Sequence, residues 1–241
     1  MRHLNRILLL CACTAVAQAS VVVPNSLSGV EGGGNNNFPF DSTTSQRYQQ
    51  VYAASQFGSG GLITQIAFRP DGPLGHAFSL TIGSIQIDLS TTLASPDGLS
   101  STFANNVGLN DTMVFSGPLA LSSFFTGPVG GPKAFDVIIN LTTPFFYNPI
   151  SGSLLLDVRN FSGTPSGLAG GFDSQFTSAD SISSAYSDPL TNSVASTTAS
   201  VTDTEGLVTE FGIVPEPGTI GLLAIGLLLV LLGVSLRRLR A

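Results

Sequence analysis

AFDVIINL (residues 134–141) and SLLLDVRNF (153–161) are the two stretches on which the fold reading turns. Both are short and rich in aliphatic and β-branched residues, the signature of core strands. Pro144, Asn148-Pro149 and Ser151-Gly152 stand between them and supply the chemistry of a turn. No long segment of the chain before the C-terminal tail has helical periodicity, so the sheet reading extends to the rest.

Upstream, LITQIAF (62–68) alternates Leu62, Thr64 and Ile66 against Ile63, Gln65 and Ala67, a half-buried strand. In the 77–89 segment, Phe78, Leu80 and Ile82 form one alternating series, and Ile85, Ile87 and Leu89 a second. The change of phase at Gly83 fits one extra residue, a β-bulge. RYQQVYAASQF (47–57) reads as a first strand, and 20–40 as a loop containing Gly32-Gly33-Gly34-Asn35-Asn36-Asn37. Pro70-Asp71-Gly72-Pro73 and Ser95-Pro96-Asp97-Gly98 are turns. Residues 103–110 are ambiguous, with a short helix as one reading, and short strands are expected at 112–115 and 119–125, parted by Gly117-Pro118. Downstream, 190–204 has no strong pattern, and LVTEFGI (207–213) reads as the last strand. The expected fold is all-β: an antiparallel β-sandwich of jelly-roll or Greek-key kind. A β-helix is the alternative, but no fixed short repeat supports it.

The two termini have compositions of their own. At the start, Arg2 and Arg6 precede an apolar run at 7–17, and Ala17-Gln18-Ala19 is an A-x-A site. That order reads as a signal peptide over 1–19, with the mature chain beginning at Ser20. Lipoprotein processing at Cys13 is a weaker alternative. Both cysteines, Cys11 and Cys13, lie in this segment. The mature chain then has no thiol, so its fold rests on apolar packing without disulfides. At the other end stand Pro215-Glu216-Pro217, an uncharged apolar run at 219–236, and the cluster Arg237, Arg238 and Arg240. Eighteen helical residues reach about 27 Å, close to a bilayer's hydrocarbon thickness. Retention of the arginines on the cytoplasmic side places everything before Pro215 outside. One C-terminal transmembrane helix is therefore expected, and the domain plan is 1–19, 20–214 and 215–241.

Pro-Glu-Pro, one apolar span and an arginine-rich end, in that order, resemble the PEP-CTERM sorting signal of exosortase substrates. The ectodomain is also similar to exported PEP-CTERM proteins in YQQVY (48–52), IAFRPD (66–71) and LLLDVRN (154–160). The resemblance implies recognition at Pro215, Glu216 and Pro217 by an exosortase-type membrane peptidase and cleavage near that motif. It implies residence in the inner membrane of a Gram-negative envelope, then transfer to the cell envelope or the exterior. Association with extracellular polysaccharide or biofilm matrix is part of the same expectation.

Charge and residue inventory exclude several functions. Residues 20–214 contain only Arg47, Arg69, Lys133 and Arg159 against all the acids but Glu216, a net charge of about ten negative. Nucleic-acid binding, which needs a basic surface, is excluded. His76 is the one histidine after the signal segment, in a loop expected to face solvent. Zinc would require more His or Cys ligands, and a serine triad would have only His76 to use. No P-loop, G-x-G-x-x-G or G-x-S-x-G is present. Asp88, Asp136 and Asp157 in strands, with Asp71, Asp97, Asp173 and Asp188 in turns, are the carboxylates from which a glycosidase pair would be drawn. Asp136 is expected to face outward by alternation. The chain lacks Trp, leaving Tyr48, Tyr52, Tyr147 and Tyr186 as candidate sugar platforms. Calcium is the only cofactor for which the composition has material, at Asp71-Gly72, Asp97-Gly98 or Asn110-Asp111, which are also ordinary turn residues. The resulting expectation is a non-enzymatic exported surface protein with no catalytic or metal residues. A carbohydrate-binding module is the alternative, and a cryptic hydrolase the third reading.

Overall fold

The computed structural model describes residues 18–164, 171–188 and 193–215, together with Gly226. The strands are β1 (Ala19–Val23), β2 (Gly34–Asn36), β3 (Gln46–Tyr52), β4 (Gly61–Phe68), β5 (Phe78–Thr92) and β6 (Thr112–Ser123). They continue as β7 (Val137–Tyr147), β8 (Ser153–Asn160), β9 (Phe172–Gln175), β10 (Ile182–Tyr186), β11 (Val201–Asp203), β12 (Gly206–Leu207) and β13 (Thr209–Val214). Every strand pairing is antiparallel, as the sequence led us to expect. One sheet runs β1-β13-β4-β7, a second β11-β10-β3-β8-β5-β6, and a small third β12-β9-β2. The pairings nest: β5 with β6, β4 with β7, β3 with β8, and β1 with β13. The chain between β8 and β13 supplies β9–β12, which extend the second sheet and build the third.

The two larger sheets share one core. Ile63, Ile66 and Phe68 of β4, Val137 and Ile139 of β7, and Phe211 and Ile213 of β13 come from one side. Tyr52, Ile82, Ile85, Ile87, Leu89, Leu154, Leu156 and Val158 come from the other, all in a single buried cluster. The run Leu154-Leu155-Leu156 is apolar throughout because β8 is covered on both faces. Its outer face lies under the β5–β6 connection, where Phe103 is buried in the short 3₁₀ turn Phe103–Asn105.

Local irregularities explain how the sequence reaches this arrangement. Ile82 pairs with Leu119, and Ile85 with Gly117, so β5 carries one more residue than β6 between those pairs. The bulge expected at Gly83 is present, and it brings Ile82 and Ile85 to the same buried side. The two short strands expected around Gly117-Pro118 are one strand, β6. Gly117 takes φ +126° at the bulge, and Pro118 is tolerated because β6 is an edge strand. Pro144 sits likewise in β7, the edge of the other sheet. The two edges meet where the Thr142 hydroxyl donates to the Val114 carbonyl at 2.9 Å. The first strand expected at 47–57 stops at Tyr52, and Ala54–Gln56 is a 3₁₀ turn.

Part of 20–40 is not loop: β1 pairs along β13 from Ala19↔Ile213 to Val23↔Thr209. Among the described residues no helix is long and apolar enough to cross a membrane. The span expected at 219–236 lies outside the described residues apart from Gly226, as do residues 1–17 of the expected signal peptide.

Phe211 tests the shared core. It is fully buried, edge-on to Tyr52 at 4.9 Å and tilted against Phe57 at 5.3 Å. Phe211→Ala is expected to lower unfolding stability by about 3–5 kcal/mol in denaturant titration. Exposed Phe124→Ala should leave the midpoint within about 0.5 kcal/mol.

Candidate functional site

The start of β1 and the end of β13 lie at one end of the double-sheet body. Ala19, the expected signal-peptidase residue, is the first residue of β1 and pairs with Ile213. Val214 closes β13 opposite Leu62, and Pro215 follows it directly. Gly60 and Gly61 make room for this exit. A Cβ on Gly61 would stand 2.5 Å from the Val214 carbonyl and 3.2 Å from Cα of Pro215. Gly61 has φ +143° and Gly60 φ +71°, so both the space and the backbone require glycine. Of the expected sorting residues, Pro215 is described. Glu216, Pro217, Arg237, Arg238 and Arg240 lie outside the described residues, as does Ala17.

At the opposite end, Glu31, Asp71 and Asp173 converge, with one carboxylate oxygen of each within 4.8 Å of the others. Arg69 is fully buried beside them. Its Nε donates to Asp173 Oδ2 at 2.6 Å, and Nη2 donates to the carbonyls of Leu27 at 3.0 Å and Val30 at 2.6 Å. Backbone amides complete the set. Gly32 donates to Asp173 Oδ1, Gly72 to Glu31 Oε1, and Leu74 to Asp71 Oδ2. The second oxygen of Glu31 is buried without a hydrogen-bond partner. The guanidinium thus pairs with one of the three carboxyls, Asp173. Burial raises the Asp173 pKa to about 6, over the lowering by Arg69, and Glu31 raises it further. Burial also raises Asp71. Asp71 was legible as an acid in a turn; Asp173, expected in a turn, stands in β9, paired with Asn35, and Glu31, inside an apparent loop, had no signal connecting it to them.

The other sequence candidates separate. Asp88 and Asp157 lie directly opposite on β5 and β8. Arg47 holds Asp157 through Nε at 3.1 Å and Nη2 at 2.5 Å, and Gln49 Nε2 adds a bond at 2.8 Å. Gln86 Nε2 reaches both oxygens of Asp88, and Arg159 lies 3.8 Å and 3.7 Å from Asp88 and Asp157. These carboxylates are tied into a network under Phe103, whose ring Arg47 covers at 4.6 Å. Asp136 is not in a strand, because β7 begins at Val137. Its Oδ2 accepts from the Phe124 amide, and Oδ1 is buried. Asp97 accepts from the Ala179 amide, and His76 is exposed, as expected.

The tyrosines do not form an exposed platform. Tyr48, Tyr52 and Tyr147 are fully buried because their positions point into the core. Their hydroxyls are paired, Tyr48 with Gln50 Oε1, Tyr52 with Thr209 Oγ1 and Tyr147 with the Gly152 carbonyl. Tyr186 is half-buried against Phe38 and Tyr48.

Comparison with models of protein families finds the PEP-CTERM protein-sorting motif at residues 214–239. No curated protein and no solved structure matches the chain. The chain therefore carries a sorting signal for export and exosortase processing, and the matched motif begins at the last residue of β13.

Asp180 shares the raised pKa of Asp173. Burial lifts it from 3.8 to about 6, its bond from the Ile182 amide opposes the rise, and Asp97 adds to it. A carboxyl whose folded pKa lies above its unfolded value stabilises fully below the unfolded pKa and loses that contribution as pH rises through the folded one. The loss here falls between about pH 4 and 6. The thermal midpoint should be higher at pH 5.5 than at pH 7.5, with a smaller difference in Asp180→Asn. A midpoint that falls on acidification, measured by calorimetry, would contradict this assignment.

Proposed function

We propose that this is a non-enzymatic exported protein whose folded part is a jelly-roll β-sandwich delivered to the extracellular polysaccharide or biofilm matrix. A signal peptide over 1–19 sends it across the inner membrane. The tail at 215–241 holds it, ectodomain outward, until the exosortase acts at Pro215-Glu216-Pro217. The nested pairing of eight strands supports the jelly roll. The observation that carries the functional reading is the junction itself: the sorting motif starts where the last strand of the domain ends. A folded body is thereby joined to a sorting signal without a linker. The bonded, buried state of Asp157, held by Arg47 and Gln49, favours a structural role over hydrolysis at the Asp88–Asp157 pair.

Intact mass and fractionation of the protein from a host with and without the sorting peptidase test this reading. The expected product starts near Ser20 and ends near 215–217, only when the peptidase is present, and Glu216→Ala should abolish it. A chain that keeps Arg237, Arg238 and Arg240 in the membrane under both conditions would reduce the tail to a plain anchor.

Calcium at Glu31, Asp71 and Asp173 is a second reading. It is favoured by the convergence of three carboxyls, of which Arg69 pairs only with Asp173, and by the unpartnered buried oxygen of Glu31. At pH 7.5, millimolar CaCl2 should raise the thermal midpoint relative to EDTA, and Glu31→Gln should remove most of that rise. Equal midpoints in CaCl2 and EDTA would leave the cluster as a loop clasp alone.

A further inference from the structure

We propose that the end of the body from which the sorting tail leaves is a lipid-contacting face, seated on the bilayer while the tail is attached. This rests on the reading of the tail as a membrane anchor.

The observations converge on one edge. Val214, Leu62 and Phe146 stand in one row across β13, β4 and β7. At strand spacings of about 4.8 Å, Phe146 is roughly 10 Å from the point where the tail departs. Past β7 the chain turns through Pro149–Ser151, and a Cβ on Gly60 would lie 2.6 Å from Cδ of Pro149. The exit and this turn thus rest against the neighbouring glycines Gly60 and Gly61. The β5–β6 connection meets them from the facing sheet. Leu93 follows β5, and Leu109 lies beside Gly108, which abuts the Thr91 backbone.

The side chains here are apolar and uncovered. Leu93 is 95% exposed, Leu109 110%, Ile150 93% and Phe146 51%. Leu93, Leu109 and Phe146 border an open depression of about 610 Å³ whose lining residues are all uncharged. On a domain carrying about ten negative charges, such an end is suited to neutral lipid rather than to a charged partner. Clustered exposed aliphatic residues mark an interaction face, and aliphatic loop tips enter the boundary between headgroups and acyl chains.

Tether length identifies the occupant. From Pro215 to Thr219, where the apolar run begins, there are four Cα steps. Fully extended they span at most about 14 Å. With the apolar run in the bilayer, this end of the body is held against the membrane surface. The acidic cluster of Glu31, Asp71 and Asp173 and the exposed Phe124 and Val129 occupy the far end.

The full chain, with Cys11→Ser and Cys13→Ser, reconstituted in phosphatidylcholine vesicles, tests the proposal. Single substitutions Leu109→Cys, Phe124→Cys and Leu229→Cys each receive an environment-sensitive fluorophore. The proposal requires lipid-like emission and quenching by lipid-borne quenchers at 109 and 229, and aqueous behaviour at 124. Lipid at 229 with water at 109 overturns the lipid face and leaves the anchor standing. Water at 229 removes the anchor reading and the proposal with it. A probe at 109 that reads water in vesicles and responds to soluble dextran oligomers assigns the depression to a neutral glycan and overturns the proposal. Leu93→Asp with Ile150→Asp, both on exposed loops, should lower the lipid-borne quenching at 109 at least threefold without changing that at 229.

Discussion

β13 lies inside its sheet, between β1 and β4, and the rest of the molecule depends on that placement. The last strand of the domain is held on both sides, by the first strand and by a central one. Phe211 drives the same strand into the core between Tyr52 and Phe57. β1 with β13 is the outermost of four nested pairings, so closing it closes the body. Residues 19–214 contain no cysteine, so this closure and the packed core must do what disulfides do in smaller domains. A tail emerging from an interior strand transmits its attachment to hydrogen bonds on both flanks.

The polar interior is concentrated where the strands cannot supply order. Arg69 joins Asp173 to the carbonyls of Leu27 and Val30, fixing a long irregular segment to β9. The carboxyls around it repel one another, and burial keeps Asp173 near a pKa of 6. At the tail end the depression bordered by Leu93, Leu109 and Phe146 is lined by uncharged residues. The buried acid cluster and the uncharged depression thus lie at opposite ends of the strands.

Much of this was legible in the sequence, for identifiable reasons. The 153–161 and 77–89 stretches carry enough aliphatic side chains to declare strands, and Gly83 announced its bulge by reversing the alternation. β10, Ile182–Tyr186, could not be read that way: its sequence ISSAY is small and polar, and it is a strand because its backbone pairs with β3 and β11. β1 was hidden because Ala19–Val23 looks like the continuation of a cleavage region, and only its pairing with β13 makes it a strand. The tyrosines misled because aromatic content says nothing about which face of β3 or β7 they occupy. The acid cluster joins residues as far apart as Glu31 and Asp173, a contact made by tertiary folding alone. The sorting motif was fully legible because its order of proline, apolar run and arginines is linear in the chain.

The nearness of fold and motif constrains the processing step. Pro215 already packs against Gly61, and only Glu216, Pro217 and Gly218 separate it from the apolar run. A peptidase reaching this link meets a folded domain on one side and the apolar run on the other. Cleavage upstream of Pro215 would have to strip Val214 from Leu62 and break into a strand paired on both sides. Cleavage within 215–218 leaves β13 intact. The fold thus protects its own last strand and leaves the peptidase a window of about four residues between β13 and the apolar run.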